Sequence, residues 1–471
     1  MPADPPRDAA DPSPPADGSL PHGFPPGTAN IYAFAAFNAL SFQMVIGSPM
    51  ILYAKSLDAS ATTLGMIAGM LPILVIFQIP AARFVDSVGY KRFVLSGWSI
   101  RTVFAGFMAL VPLLGALLPP QSRLALLLLL LFGFNLSRGI SSCGWLPWIS
   151  AIIPASRRGR YLTRDATMVN LASFFAFWLA AGVLGEKASP WRFSTLFAFS
   201  ALCGGVSLLF LRRIPAEPRV EIDERPPRPR LPEMLRLKPF RRLLGMNVAF
   251  ALANGGVFTF IVAWLKSAAG WSERHILMLA SATFLGGLTN QLILSRVLDR
   301  HGSKPVLIAG ASLWIALMLT WSACAGGLAP LALPLAIALM FAVGLAGSLM
   351  TLSNVRLAMI AVPENGRSHY FAVFSVVSSV TLGFAPVLWG MVIDAAAPLD
   401  RAVAVAGKTL HLNAYSLLFG VLALVFLAAF VLCLRLVEPE AGSWEQLLRH
   451  VLERSRVRYW LRAWSRATPR G

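Results

Sequence analysis

The chain has 471 residues, 56% of them hydrophobic and only 13% charged, with a mean hydropathy of +0.65 and a formal charge of +19. A soluble chain carries roughly a quarter charged residues, so this composition excludes an ordinary water-facing domain and points to a membrane as solvent. The excess of Lys and Arg then belongs to loops at a lipid surface, not to a nucleic-acid footprint, and no nucleic-acid partner is expected.

Residues 1–28 are rich in Pro, Ala, Asp and Ser. That composition cannot bury a core and reads as a disordered cytoplasmic tail without the apolar start of a signal peptide. Twelve apolar segments of about twenty residues follow, six between Ile31 and Leu211 and six between Leu243 and Leu434. The division expected is an N-terminal six-helix bundle over 29–213, a cytoplasmic linker over 214–242, a C-terminal six-helix bundle over 243–436 and a basic amphipathic tail over 437–471. The linker carries Arg225-Pro-Pro-Arg-Pro-Arg230, a solvated and stiff composition. In the tail, Trp444, Leu447, Leu448 and Val451 line one helical face, and Val457, Trp460, Leu461 and Trp464 line a nearly opposite one. Segment 4, Leu124–Ile153, is read as one long helix because no turn signal divides it before Pro154.

With the N-terminus in the cytoplasm, the inner loops carry 21 Lys and Arg and the outer loops 8. This bias predicts a multi-pass protein of the cell membrane with both termini in the cytoplasm. The cysteines Cys143, Cys203, Cys324 and Cys433 all lie within apolar runs, as packing residues do, and make no metal spacing.

One charged turn recurs. Arg83-Phe-Val-Asp86-Ser-Val-Gly89-Tyr-Lys91 through Gly97 returns 213 residues later as Arg296-Val-Leu-Asp299-Arg-His-Gly302-Ser-Lys304 through Gly310. A second echo, 209 residues apart, joins Pro154 and Tyr161 to Pro363 and Tyr370. The chain is therefore two related halves. Six plus six helices, a long central loop and an Asp-x-x-Gly-x-Lys turn after segments 2 and 8 resemble the major facilitator superfamily of secondary transporters. The resemblance implies an all-α membrane protein of twelve transmembrane helices in two pseudo-symmetric six-helix bundles. It also implies a latch in which Arg83, Asp86, Gly89 and Lys91, with Asp299, Gly302 and Lys304, join the halves when the inner gate is shut. Ala82 and Ser295 stand where the family's turn usually has Gly, and Ser87 where it has a basic residue. The Gly-Pro signature of drug antiporters and the Pro-Glu-Ser-Pro-Arg run of sugar porters are absent, so the subfamily is open.

Polar groups in hydrocarbon cost several kcal/mol unless paired or wetted, roughly 2–7 each. Asn135, Arg138, Ser142 and Trp145 share one face of segment 4, spaced i, i+3, i+7 and i+10. Asn38 lies on segment 1, Asn254 on segment 7 and Asn354 on segment 10, and the resemblance implies that segments 1, 4, 7 and 10 line a central cavity. Arg138 sits near mid-span, where a guanidinium binds carboxylate or phosphate bidentately. Arg101 is read as peripheral, a snorkelling or structurally paired residue of segment 3. The spans hold no mid-membrane carboxylate for proton coupling, and uniport or exchange of organic anions fits better. No phosphate loop, metal spacing or nucleophile motif occurs, so neither a cofactor nor an enzymatic activity is expected. The function read from the sequence is alternating-access transport of a small organic solute, an anion by the Arg138 face, through a monomer in contact with membrane lipids. The alternative is a sensor or assembly factor of the same fold that docks a partner through its tail.

Overall fold

A computed structural model describes residues 27–153, 158–216, 231–361, 367–399, 401–405, 408–436 and 438. The two tails and most of the linker, including the amphipathic stripes at 444–464, lie outside the described residues. Eleven helices are long and apolar enough to cross a membrane: α1 Thr28–Ser56, α2 Ala61–Val85, α3 Tyr90–Ala116, α4 Pro120–Ile152, α5 Arg160–Leu184, α6 Pro190–Arg213, α7 Lys238–Ser267, α9 Lys304–Ala325, α10 Leu333–Ala358, α11 His369–Ala396 and α12 Ala414–Leu434. The 29-residue helix Glu273–His301 is α8 and completes the twelve. Even the shortest of them, at about 1.5 Å per residue, spans the ~30 Å hydrocarbon layer.

The expected twelve-helix, two-bundle architecture is thus present. An antiparallel hairpin, β1 Arg401–Val405 and β2 Lys408–Leu412, is added between α11 and α12. The lipid-facing sides are apolar where they are exposed. Ile100, Val103 and Phe107 on α3, and Leu424, Leu427 and Val431 on α12, are exposed at three- and four-residue steps. The start of α1, the linker edges and the end of α12 gather at one end of the molecule, here called the linker end. Gly27 abuts Pro215, and Arg242 donates to the Arg435 carbonyl. At this end the Glu438 carboxylate accepts from the backbone N–H groups of Ser303 and Lys304 at 2.7–3.0 Å, capping the positive N-terminus of α9.

Four spans are interrupted among the described residues, α2 by a 3-10 turn at Val75–Phe77. Segment 4 is not a uniform helix, because a 3-10 turn, Ser142–Gly144, divides α4. Such a turn advances ~120° per residue in place of ~100°, so the face beyond it is rotated by about 60°. The other two breaks are symmetric. α1 breaks at Gly47, and α7 breaks at Gly255–Gly256, where Gly256 has φ +84°, a conformation that favours glycine. Gly47 and Gly256 are 209 residues apart, the same offset as the Pro154–Pro363 echo. The Leu252 carbonyl, which the Gly256 N–H would take up in an unbroken helix, receives instead the indole N–H of Trp389 on α11 at 2.8 Å.

Candidate substrate site between the bundles

The halves meet at the end opposite the linker, through two contacts related by the repeat. At the first, the Asp394 carboxylate, at the end of α11, accepts from the start of α2: Ala61 N–H at 3.0 Å, Thr62 N–H at 2.9 Å and the Thr62 hydroxyl at 2.6 Å. At the second, the start of α8 meets the end of α5. The Arg274 N–H donates to the Gly185 carbonyl at 3.2 Å, and Glu186 faces Arg274 at 3.8 Å and His275 at 3.6 Å. Ala61 and Arg274 are 213 residues apart, and Gly185 and Asp394 are 209 apart.

Below these caps, α2 and α11 touch backbone to backbone. A Cβ on Gly65 would stand 2.2 Å from the Pro386 carbonyl oxygen, and one on Gly69 would stand 2.1 Å from that of Gly383. The other seam is built from side chains: Phe177 of α5 meets the Phe284 ring of α8 edge-on, with centroids 5.2 Å apart. A cleft of about 790 Å³ lies over the far end, with Lys55, Asp58, Asp394, His411 and Tyr415 in its wall.

At the linker end the charged turn is open. Arg83 is exposed, with its guanidinium 4.7 Å above the Phe84 ring. Gly89 has φ +86° and nothing within 4 Å of where a Cβ would sit, and Lys91 is half-buried. In the second copy Gly302 has φ +79°, and the Lys304 N–H is held by Glu438 of its own half. The side chains of Asp86 and Asp299 lie outside the described residues.

The sequence-selected polar residues fall into two groups. In the N-terminal half, Arg138 places its guanidinium 4.8 Å above the ring of Phe42 on α1. Asn135, fully buried one turn earlier, donates to the Leu131 carbonyl and leaves its Oδ1 without a partner. Asn38 accepts from Arg101 at 2.6 Å. In the C-terminal half, Asn354 donates to Asn247 at 2.7 Å, and Asn247 donates to Ser378; this neutral relay ties α10, α7 and α11 together. Asn254 is the last residue before the α7 break and is half-buried. Ser142 opens the 3-10 turn and donates to the Gly139 carbonyl. Trp145, beyond that turn, leaves the Arg138 face for an aromatic cluster with Phe34, Trp98 and Trp148 at 4.9–6.1 Å.

Other polar residues of α1 serve the bundle interior. Ser41 pairs with Ser200 of α6, and Gln43 with Ser173 of α5. Of the two readings the sequence allows for Arg101, structural pairing is the one observed, though not at the periphery. Arg101 does not snorkel to the lipid surface: it is 1% exposed, reaches from α3 to α1, and lies 5.4 Å from the Phe134 ring of α4. The single-letter pattern of α3 gave no hint of this, because Arg101 sits between two lipid-facing residues, Ile100 and Val103. The breaks in α1 and α7 had a readable signal, glycines at matching positions in the two halves.

Two echoing six-helix bundles, with broken helices facing each other across a seam, form the scaffold of a secondary transporter. The chain belongs to the Major Facilitator Superfamily, whose family model matches residues 31–272 and 243–468. No curated protein matches the chain. Among solved structures it is similar to a variant of the nucleoside transporter NupG, at 14% identity over 87% of this chain and 99% of that one, TM-score 0.63. It is similar to the xylose transporter XylE from E. coli in an inward-open conformation, at 14% identity over 89% and 98%, TM-score 0.64. It is also similar to a POT family transporter in complex with 5-aminolevulinic acid, at 12% identity over 88% and 97%, TM-score 0.65. At these identities the likeness shows the fold alone. The protein is a multi-pass membrane transporter of small solutes.

Proposed function

We propose that this transporter carries a small organic anion by alternating access, with Arg138 as the main contact. One observation carries the reading: Arg138 stands at mid-span between α1 and α4, and among the described residues no carboxylate lies within ion-pair distance of it. A guanidinium kept in a membrane interior without a fixed counter-ion is matched by a mobile one. Asn38, Asn135 and Asn254 supply neutral polar contacts beside it, Asn354 reaches the same level from α10, and Ser142 bounds the face toward the linker end. The latch residues Arg83, Asp86, Gly89 and Lys91, with Asp299, Gly302 and Lys304, engage across the halves when the linker end closes and the Asp394 and Glu186 contacts part.

The proposed setting is a cell membrane, with the linker end in the cytoplasm and one chain sufficient for transport. The test is flux in vesicles containing the purified protein, with anionic, neutral and cationic solutes compared. Saturable uptake of an anion by the wild type, lost in Arg138→Gln, supports the reading. Equal uptake of neutral or cationic solutes by both proteins overturns it.

A further inference from the structure

Arg101 is the second buried cation of the N-terminal half. Its Nη2 donates to Asn38 Oδ1 at 2.6 Å, while its Nε and Nη1 are buried and have no partner. It lies 5.8 Å from the Trp98 ring, whose indole Nε1 is likewise buried without an acceptor. Arg138 is near enough for its charge to act on Arg101, and none of the ion pairs among the described residues includes either arginine. The α1 residues that meet them, Asn38 for Arg101 and Phe42 for Arg138, are four apart. They therefore lie on one face of α1, about one helical turn or ~5–6 Å from each other. Two guanidiniums thus flank a single helix face in a low-dielectric interior. Their like charges repel, and three N–H donors (two on Arg101, one on Trp98) point at no acceptor.

On the reading that Arg138 binds an anion, we infer that Arg101 is a second substrate contact and that the solute is a dianion, a dicarboxylate or a phosphate monoester. A single negative charge leaves one of the two cations unbalanced. A doubly charged oxyanion neutralises both and offers acceptors to the unpaired N–H groups. Asn38 is the positioning residue. Its carbonyl oxygen holds the Arg101 fork toward α1 and is a neutral acceptor weak enough to share with a ligand.

The experiment compares thermal stabilisation of the purified full chain in detergent by succinate, inorganic phosphate and acetate, each titrated at constant ionic strength and pH 7.5. Wild type, Arg101→Gln, Arg101→Lys and Arg138→Gln are titrated in parallel. The expected result is that succinate or phosphate raises the unfolding temperature of wild type at concentrations at least about tenfold below acetate. Arg101→Gln should remove that preference while keeping the acetate response, and Arg101→Lys should keep part of it. The succinate and phosphate arms separate the dicarboxylate from the phosphate class. Two outcomes overturn the dianion proposal and leave the Arg138 reading standing: wild type stabilised equally by acetate, or Arg101→Gln preferring dianions as wild type does. If none of the three anions stabilises wild type, both fall. Should Arg101→Gln not fold, the dianion preference of wild type and of Arg101→Lys decides alone.

Discussion

At positions 213 residues apart the N-terminal half carries Arg101 and the C-terminal half Trp314, and the two have opposite surroundings. Arg101 faces Asn38 and the unpaired indole of Trp98. Trp314 is stacked on Phe426 of α12, with centroids 4.9 Å apart and planes 5° apart. Asn38 and Asn247, 209 apart, also correspond, yet Asn38 serves a cation while Asn247 serves the neutral Asn354 and Ser378. One helical frame thus holds buried cations in one half and uncharged side chains at the matching positions in the other. Buried charges are ordinarily paired, so the half that holds cations without a fixed counter-ion is where an anion is expected.

The largest expected effect tests that asymmetry directly. Arg138→Gln should lower anion uptake about a hundredfold, the equivalent of the ~3 kcal/mol of one charge-assisted bond, measured as initial rates in vesicles. Next is Gly65→Ala, on the backbone-tight seam. A methyl 2.2 Å from the Pro386 carbonyl cannot be accommodated by a side-chain shift, so the far end should fail to shut. Uptake should fall about tenfold for each ~1.4 kcal/mol by which the closed form is raised. A cysteine introduced at Ala61, which is 7% exposed beneath the Asp394 carboxylate, should become readily labelled by an impermeant thiol reagent added from the far side. Asn247→Ala should act on stability and not on selectivity. It strands the Asn354 amide, a cost of about 1–3 kcal/mol, seen as a lower unfolding temperature with the same ranking of anions. An altered ranking would mean that Asn247 itself reads the solute.

Much of this architecture was legible from the sequence, for physical reasons. Hydrocarbon demands about twenty apolar residues per span, so the helices can be counted in the chain, and a recurring turn exposes the duplication. The sequence also made Arg138 conspicuous, a lone charge in the apolar segment Leu124–Ile153. Three features were not read from it. Arg101 looked peripheral because whether a residue of α3 faces lipid or α1 depends on helix rotation, which a mixed apolar face leaves undetermined. Trp145 was placed beside Arg138 by counting ~100° per residue through Ser142–Gly144, where the chain winds more tightly. Asp394 read as an end-of-helix charge, because its donors, Ala61 and Thr62, are more than 330 residues away.

The smallest effects separate the two far-end contacts, which symmetry makes equivalent and chemistry does not. Asp394 accepts three hydrogen bonds from the first turn of α2, where its charge also meets the positive end of the helix. Asp394→Asn keeps one acceptor oxygen and loses the charge, which should destabilise the closed far end by about 1 kcal/mol, in the range of a lost helix cap. Glu186 is 56% exposed and pairs with Arg274 at 3.8 Å, so Glu186→Gln should cost only a few tenths of a kcal/mol, as exposed ion pairs do. The backbone bond from Arg274 to Gly185 survives that substitution. Labelling at Ala61→Cys should therefore speed up about fivefold in Asp394→Asn and less than twofold in Glu186→Gln, the latter difference vanishing in high salt. If Glu186→Gln opens the far end as much as Asp394→Asn does, the seam is governed by its summed charge. Asp394, seated on the start of α2, would then not be the element that holds the two halves shut.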